Sequence, residues 1–362
     1  MNSHIIPHIE AANRHFSAHE FEEAHQQFSQ ALHKLQKEEE SGLINEESVA
    51  ELYLLRGTSL VSVDEQAALA DPDIFNQVLD DYDNAIDLHP EAIHYRNLRG
   101  RMYMNCTFSD YKKEARKDFE YVLKHQEHHP DALQMMGLLA TQAKDYDKAI
   151  YYFSLAIEQE PEASETYAAR GMSYFRKKPP KYEEAARDFA KAQSFTPERE
   201  DLYIWRAQCF QLLNLPESAL QEYDRLIDLS PKAEYFVERG NLLIADQPGR
   251  AFEDYTHAVE IGQHPLAYNN LAWLLLQKGD FEEAIEHAKM VIQVDPTATI
   301  AYATLAEIYA KMEDEDRFYE YLALALQHYY EDYMDAMMEP AFEAYMHEAR
   351  FKELIVAVQK KS

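Results

Sequence analysis

A short ladder of residues recurs along this chain at a fixed spacing, and such a period restricts the fold to a stack of like units. Gly137 is followed after 12 residues by Ala149, then by Phe153, Ala156 and Pro161 at steps of 4, 3 and 5. The same steps carry Ala207 to Ala219, Tyr223, Leu226 and Pro231, and Ala272 to Ala284, Ala288, Val291 and Pro296. The first step gains two residues in Gly171, Ala185, Phe189, Ala192, Pro197, and three in Gly100, Ala115, Phe119, Val122, which ends on a late Pro130. It is one residue short in Gly240, Ala251, Tyr255, Ala258, and the chain opens with Ala12, Ala24, Phe28, Ala31. Two copies are irregular. Gly57 reaches Tyr82, Ala85 and Pro90 across nine extra residues, and Ala306 leads to Phe318, Leu322 and Ala325, a bulky residue standing where alanine is expected. Nine copies fill residues 5 to 330.

The steps have a physical cause. Residues three and four apart share one helix face, so the second small residue, the aromatic and the next small residue line a single stripe. The small residue of the first helix lets the two helices approach closely. Proline ends the second helix, because it lacks a donor and clashes with the preceding turn. Each copy is therefore a helical hairpin, too small to bury its own apolar face without neighbours. Only 9 glycines occur in 362 residues, which argues against β-rich and nucleotide-loop folds that use glycine where the backbone turns or touches ligand.

The ladder resembles the tetratricopeptide repeat over most of the chain. The resemblance implies an all-α solenoid of about nine hairpins, a right-handed superhelix whose first helices line a concave groove. The expected repeats are 5–40, 49–91, 92–129, 130–162, 163–197, 198–231, 232–263, 264–296 and 297–330, an array over 1–330 with capping helices over 331–362. The tail resembles the segment that closes bacterial arrays, with a helix carrying an apolar stripe at Phe342, Tyr345, Met346 and Ala349. The run Tyr329, Tyr330, Tyr333, Met334, Met337, Met338 is alternatively an adaptable binding surface. The acidic stretch Lys37 to Glu47 and the stretch Ser62 to Asp73 read as solvated spacers.

Comparing the copies shows a charge pair that travels with the ladder. The residue before the first small one is Arg in five copies: Arg56, Arg99, Arg170, Arg206 and Arg239. The residue before the aromatic is acidic in the same five: Asp81, Asp118, Asp188, Glu222 and Asp254. In the other four the two positions hold Ala11 and Gln27, Met136 and Tyr152, Leu271 and His287, Leu305 and Tyr321. The expectation is that each Arg pairs with the acid of its own or an adjacent repeat, since guanidinium suits a partly buried, bidentate carboxylate.

Net charge is -30, which repels nucleic acid and anionic lipid and favours a basic protein or peptide. No run of about 18 apolar residues is present to span a membrane. The segment Met1 to Glu10 lacks a signal-peptide pattern, and Cys106 and Cys209, each inside a helix pattern, form no disulfide framework. These features predict a cytoplasmic protein. No nucleotide-binding, metalloprotease or hydrolase motif is present, and the pairs and clusters His15, His19 and His125, His128, His129 lack completing carboxylates. The chain is expected to be no enzyme and to hold no cofactor or metal. The resemblance places groove-facing residues at Asn97, Arg101, Asn105, Gln134, Gln142, Met172, Arg176, Gln208, Asn241, Asn269, Trp273, Gln277, Glu307 and Lys311. The Lys and Asn pattern that clamps a C-terminal carboxylate in chaperone-binding members is missing. The leading expectation is a scaffold that holds a peptide or helix in its groove. The alternatives are a peptide-responsive regulatory sensor and an accessory subunit of an enzyme or secretion complex.

Overall fold

In the hairpins whose first small residue is glycine, the aromatic of the second helix lies on that glycine. A Cβ placed on Gly137 would fall 2.5 Å from the Phe153 ring, one on Gly240 2.6 Å from Tyr255, and one on Gly100 2.9 Å from Phe119. The helices cannot come this close over a larger residue, so the glycines are there for room. The computed structural model describes residues 5–37, 45–328 and 340–359, and among these every regular element is a helix.

The chain divides into two compact units, Met1–Thr196 and Pro197–Ser362. The first holds α1 (Ile6–Ser17), α2 (Phe21–Lys37), α3 (Glu46–Val63), α4 (Glu65–Ala70), α5 (Pro72–Leu88), α6 (Ile93–Asn105), α7 (Lys112–His125), α8 (Pro130–Gln142), α9 (Tyr146–Gln159), α10 (Ser164–Arg176) and α11 (Tyr182–Phe195). The second holds α12 (Glu200–Leu212), α13 (Pro216–Leu229), α14 (Ala233–Leu243), α15 (Pro248–Gly262), α16 (Pro265–Lys278), α17 (Phe281–Val294), α18 (Thr299–Lys311), α19 (Glu315–His328) and α20 (Ala349–Gln359). Within each unit the helices pack as consecutive hairpins, α3 pairing with α5 across the short α4. The ladder residues form the core: Ala24, Phe28, Ala115, Phe119, Ala149, Phe153, Ala251 and Tyr255 are all fully buried.

Five hairpins turn in the same way. His19, Lys144, Asn214, Gly279 and Glu313 adopt left-handed backbone. In each, the following N–H reaches back five residues: Glu20 to His15 O, Asp145 to Ala140 O, Leu215 to Phe210 O, Asp280 to Leu275 O and Asp314 to Tyr309 O, at 2.8–3.0 Å. This is the Schellman closure, which satisfies orphan carbonyls at a helix end. Four of the five positions carry a side chain in a conformation that favours glycine.

Several expectations are corrected. Ser62 to Asp73 is no solvated spacer: α4 buries Ala68, and Leu69 O accepts from Thr107 N and Oγ1 at 3.1 and 3.0 Å. The N-cap Asp64 starts this helix by accepting from Ala67 N. Pro130 opens α8 at its first turn instead of closing α7. Cys106 lies just beyond the end of α6. Phe342 to Ala349 is not a striped helix but a 3-10 turn at Pro340–Phe342 followed by turns leading into α20. Its aromatics still cover the last hairpin, with Phe342 and Tyr345 centred 5.2 and 4.2 Å from the Phe318 ring. The tyrosine- and methionine-rich run and most of Lys37 to Glu47 lie outside the described residues.

Candidate functional site

The charge pairs lie inside the hairpins, each Arg meeting the acid of its own repeat. Arg170 Nε and Nη2 donate to Asp188 Oδ2 and Oδ1, both at 2.8 Å. Arg99 does the same to Asp118 at 2.8 and 2.6 Å, and Arg239 to Asp254 at 2.9 and 2.6 Å. Arg56 Nε lies 3.1 and 3.0 Å from the two oxygens of Asp81, and its Nη2 also donates to Oδ1. Arg206 Nη1 reaches Glu222 Oε1 at 3.1 Å, an oxygen that also accepts from Arg225 at 3.2 Å. The acids are almost wholly buried, and the arginines keep a rim of solvent contact. Burial pushes the Asp81 and Asp188 carboxyls above their ordinary range, against the lowering by Arg56 and Arg170. Where the ladder lacks Arg, apolar packing fills the space: Met136 with Tyr152, and Leu305 with Tyr321.

Three arginines do a second thing that single-repeat reasoning missed. Arg99 Nη1 donates to Asp83 Oδ1 at 2.5 Å, Arg170 Nη1 to Ser154 Oγ at 3.1 Å and Arg239 Nη1 to Asp224 Oδ1 at 2.7 Å. Each partner is the residue directly after the aromatic of the preceding hairpin. These arginines therefore tie neighbouring hairpins together, α5 to α6, α9 to α10 and α13 to α14. The signal was in the sequence, as a hydrogen-bonding residue one place beyond the ladder aromatic.

The inner helices carry the residues expected to line a groove, and several are already engaged. Asn97 is 8% exposed and donates from Nδ2 to Asp131 Oδ2 at 2.5 Å. Arg101 Nη1 meets the same carboxylate at 3.3 and 3.4 Å. Asn241 Oδ1 accepts from Tyr255 and from Asn270, both at 2.9 Å. Asn269 is 5% exposed and accepts from Thr304 at 3.0 Å. These side chains join successive inner helices: α6 to α8, α14 to α16 and α16 to α18. Asn97 and Asn269 are thus corrected from groove lining to packing. Glu307 is buried as well and lies 3.6 Å from Lys311.

Asn105, Gln142, Arg176, Trp273 and Gln277 remain exposed, while Gln134, Met172 and Gln208 are half-buried. In the second unit Trp273 is joined by two exposed aliphatics. Leu266 is 47% exposed, Ile300 49% and Trp273 40%. Leu266 and Trp273 are seven apart on α16, hence on one face, and α18 packs beside α16.

Chemistry for catalysis is thin. Among the described residues no three His, Cys, Asp or Glu side chains are grouped to hold a metal ion. Cys209 is buried, which pushes its thiol up to about 12 and away from nucleophilic use. No described helix is long and apolar enough to cross a membrane.

Two models of the family described as tetratricopeptide repeat match, one over residues 112–164 and one over 265–298. Human tetratricopeptide repeat protein 13 is 26% identical over 169 residues, which are 45% of this chain and 20% of that protein. The chain thus spans about a fifth of that relative. Among solved structures, a tetratricopeptide repeat protein from Parabacteroides merdae gives a TM-score of 0.49 at 20% identity, covering 75% of this chain and 98% of the other. YrrB, described as a TPR protein with an unusual peptide-binding site, gives 0.42 at 22% identity, covering 51% of this chain and 95% of its own. Both family matches enclose complete ladders, Gly137 to Pro161 and Ala272 to Pro296, so these two stretches of the chain are tetratricopeptide repeats.

Proposed function

We propose that this chain is a non-catalytic scaffold that holds a segment of a partner protein against its inner helices. The observation that carries this reading is the exposure of Leu266 and Trp273 on α16 and of Ile300 on the neighbouring α18. Three large apolar side chains exposed on neighbouring helices lose free energy to water unless a partner covers them, and tryptophan is a frequent anchor at such contacts. Gln277 is exposed one turn beyond Trp273 and offers both a donor and an acceptor to a backbone. The net charge of -30 favours a basic segment. A cytoplasmic setting suits this reading, which calls for no cofactor.

Photo-crosslinking tests it. A benzoylphenylalanine placed at Trp273 or Ile300 is expected to capture one and the same protein in the native cell, and one placed at Glu260 on α15 to capture none of it. Equal capture from all three positions refutes the assignment of the inner face. Loss of that partner on Trp273→Ala, with helicity unchanged, supports it.

A further inference from the structure

The chain is strongly acidic, but its charge is unevenly placed. Residues 112–191 hold 14 lysines and arginines and 14 aspartates and glutamates, so the net charge of -30 lies wholly outside them. Within this stretch the two signs part again. Acids gather at the links between hairpins, as Glu127, Asp131, Glu160 and Glu162. Lysines gather at the turns inside hairpins: Lys112 and Lys113 on entry to α7, Lys144 and Lys148 on either side of the entry to α9, and Lys177, Lys178 and Lys181 before α11. The turn itself does not require this. The matching turns of the eighth and ninth hairpins carry Asp280, Glu282 and Glu283, and the acidic run Glu313 to Asp316.

Contacts place the three basic turns side by side in the first unit. Lys177 Nζ meets Asp147 Oδ1, at the start of α9, at 2.5 Å. Lys148, and at longer reach Arg116 of α7, hold the Asp145 carboxyl below its ordinary range. The acids of this edge are mostly engaged within it: Asp110 with Lys112 at 3.7 Å, Asp145 with Lys148 at 3.0 Å, Asp147 with Lys177, and Glu184 with Lys181 at 3.2 Å. Glu114 and Glu183 are the remaining acids of these turns. Lys113, Lys117, Lys144 and Lys178 are exposed and meet no carboxylate within ion-pair distance among the described residues. Lys113 and Lys117 are one turn apart on α7 and share a face. The edge thus presents unneutralised lysines on a chain whose remainder is negative.

We propose that the turn edge of hairpins three to five binds an extended segment of a partner protein rich in aspartate and glutamate. Packed helices lie about 8–10 Å apart, which sets successive turns roughly 10–20 Å apart. An extended segment of about ten residues covers roughly 33 Å, so its carboxylates meet the lysines of each turn in succession. Lysine is a point charge on a flexible stem, which suits carboxylates at irregular spacing better than a fixed fork does. A long phosphate backbone would run past the edge into the negative field of the rest of the chain, and a short acidic segment does not. Lys113 and Lys117 belong to a second helix, and Lys144 and Lys178 to turns, so this edge is distinct from the face of the inner helices. It is also independent of Trp273, which belongs to the other unit.

The test uses the full chain and a rhodamine-labelled, acetylated decapeptide alternating glutamate and serine, read by fluorescence anisotropy in low salt. Saturable one-to-one binding is expected, falling steeply as salt rises. The same peptide with glutamine for glutamate is expected not to saturate. Lys113→Glu and Lys178→Glu are each expected to weaken binding about tenfold. Lys289→Glu makes the same change in net charge on α17 of the other unit and is expected to leave binding unaltered, as is Trp273→Ala. Absence of saturation, equal binding of the glutamine peptide, or an equal loss through Lys289→Glu overturns the proposal. Tighter binding of an oligouridylate of equal charge would assign the edge to nucleic acid, and self-association in sedimentation that Lys178→Glu abolishes would assign it to a second copy; either overturns the proposal too. Failure here leaves the Trp273 reading intact. Both lysines are exposed, and an acid in the first turn of α7 suits the helix dipole, so the variants keep the fold; unchanged circular dichroism checks this.

Discussion

Replacing Arg170 by Met removes a guanidinium but keeps most of the apolar stem that packs between α10 and α11. What is left is Asp188, only 6% exposed, without its two hydrogen bonds of 2.8 Å. Breaking a buried pair from one side costs about 3–5 kcal/mol. The Arg170 side chain is 19% exposed, so water can enter its place, and a loss of about 2–4 kcal/mol at pH 7.5 is expected. The pH dependence follows from Asp188. Burial already holds its carboxyl above the ordinary range, with Arg170 pulling the other way. Without Arg170 it rises further. A carboxyl raised in the folded state penalises folding above its folded pKa, and the penalty fades as pH falls toward the unfolded value of about 3.9. The gap between Arg170→Met and the natural protein should therefore narrow between pH 7.5 and pH 4.5. Repeat arrays open locally, so the assay is native-state amide exchange of α10 and α11 rather than a single melting point. A loss under about 0.5 kcal/mol, or a gap that persists undiminished in acid, refutes the reasoning. Arg170→Met combined with Asp188→Leu should lose at least about 1 kcal/mol less than the two single changes summed, and strict additivity would exclude the pairing.

Four further outcomes are expected. Asp224→Asn, at a half-exposed rim, should lose no more than about 1 kcal/mol, and nothing in high salt, whereas Asp254→Asn should lose about 2 kcal/mol or more; denaturation at two ionic strengths separates them. Lys144→Gly should stabilise the fourth hairpin by about 0.5–1 kcal/mol, since its backbone is left-handed, and local exchange in α8 and α9 reads it. Gly137→Ala should lose more than Gly171→Ala, because the added carbon would lie 2.5 Å from Phe153 in one and 3.0 Å from Phe189 in the other; urea titration ranks them. Phe342→Ala should cost about 3–5 kcal/mol and raise dye binding at the last hairpin, whose core it covers.

The hairpins could be read from the sequence because their contacts are local and repeat. Gly137 and Phe153 must meet in any helical hairpin with that spacing, and so must Arg170 and Asp188. What escaped depends on neighbours. Asp83, Ser154 and Asp224 act on an arginine of the next hairpin, a relation that comparing aligned positions within each repeat does not reveal. Asn97, Asn241 and Asn269 sit where the family pattern expects a groove, but that pattern gives the direction of a side chain and not whether Asp131, Asn270 or Thr304 already meets it. The six-residue α4 was hidden by its length, although Asp64 carried its N-cap signal and Asp71 that of the next helix, α5.

The ties made by Arg99, Arg170 and Arg239 bear on how such a chain can be duplicated or recombined. A hairpin whose arginine draws on the one before it is not a free-standing unit of exchange. Moved behind a hairpin with alanine after its aromatic, as Phe189 is followed by Ala190, the repeat of Arg239 would lose the oxygen that Asp224 supplies. The hairpins of Met136 and Leu271 make no such demand. Cuts placed just before these apolar repeats would keep each arginine with the hairpin that supplies its acceptor oxygen, so viable insertions and deletions should gather there and be depleted between Asp83 and Arg99, Ser154 and Arg170, and Asp224 and Arg239.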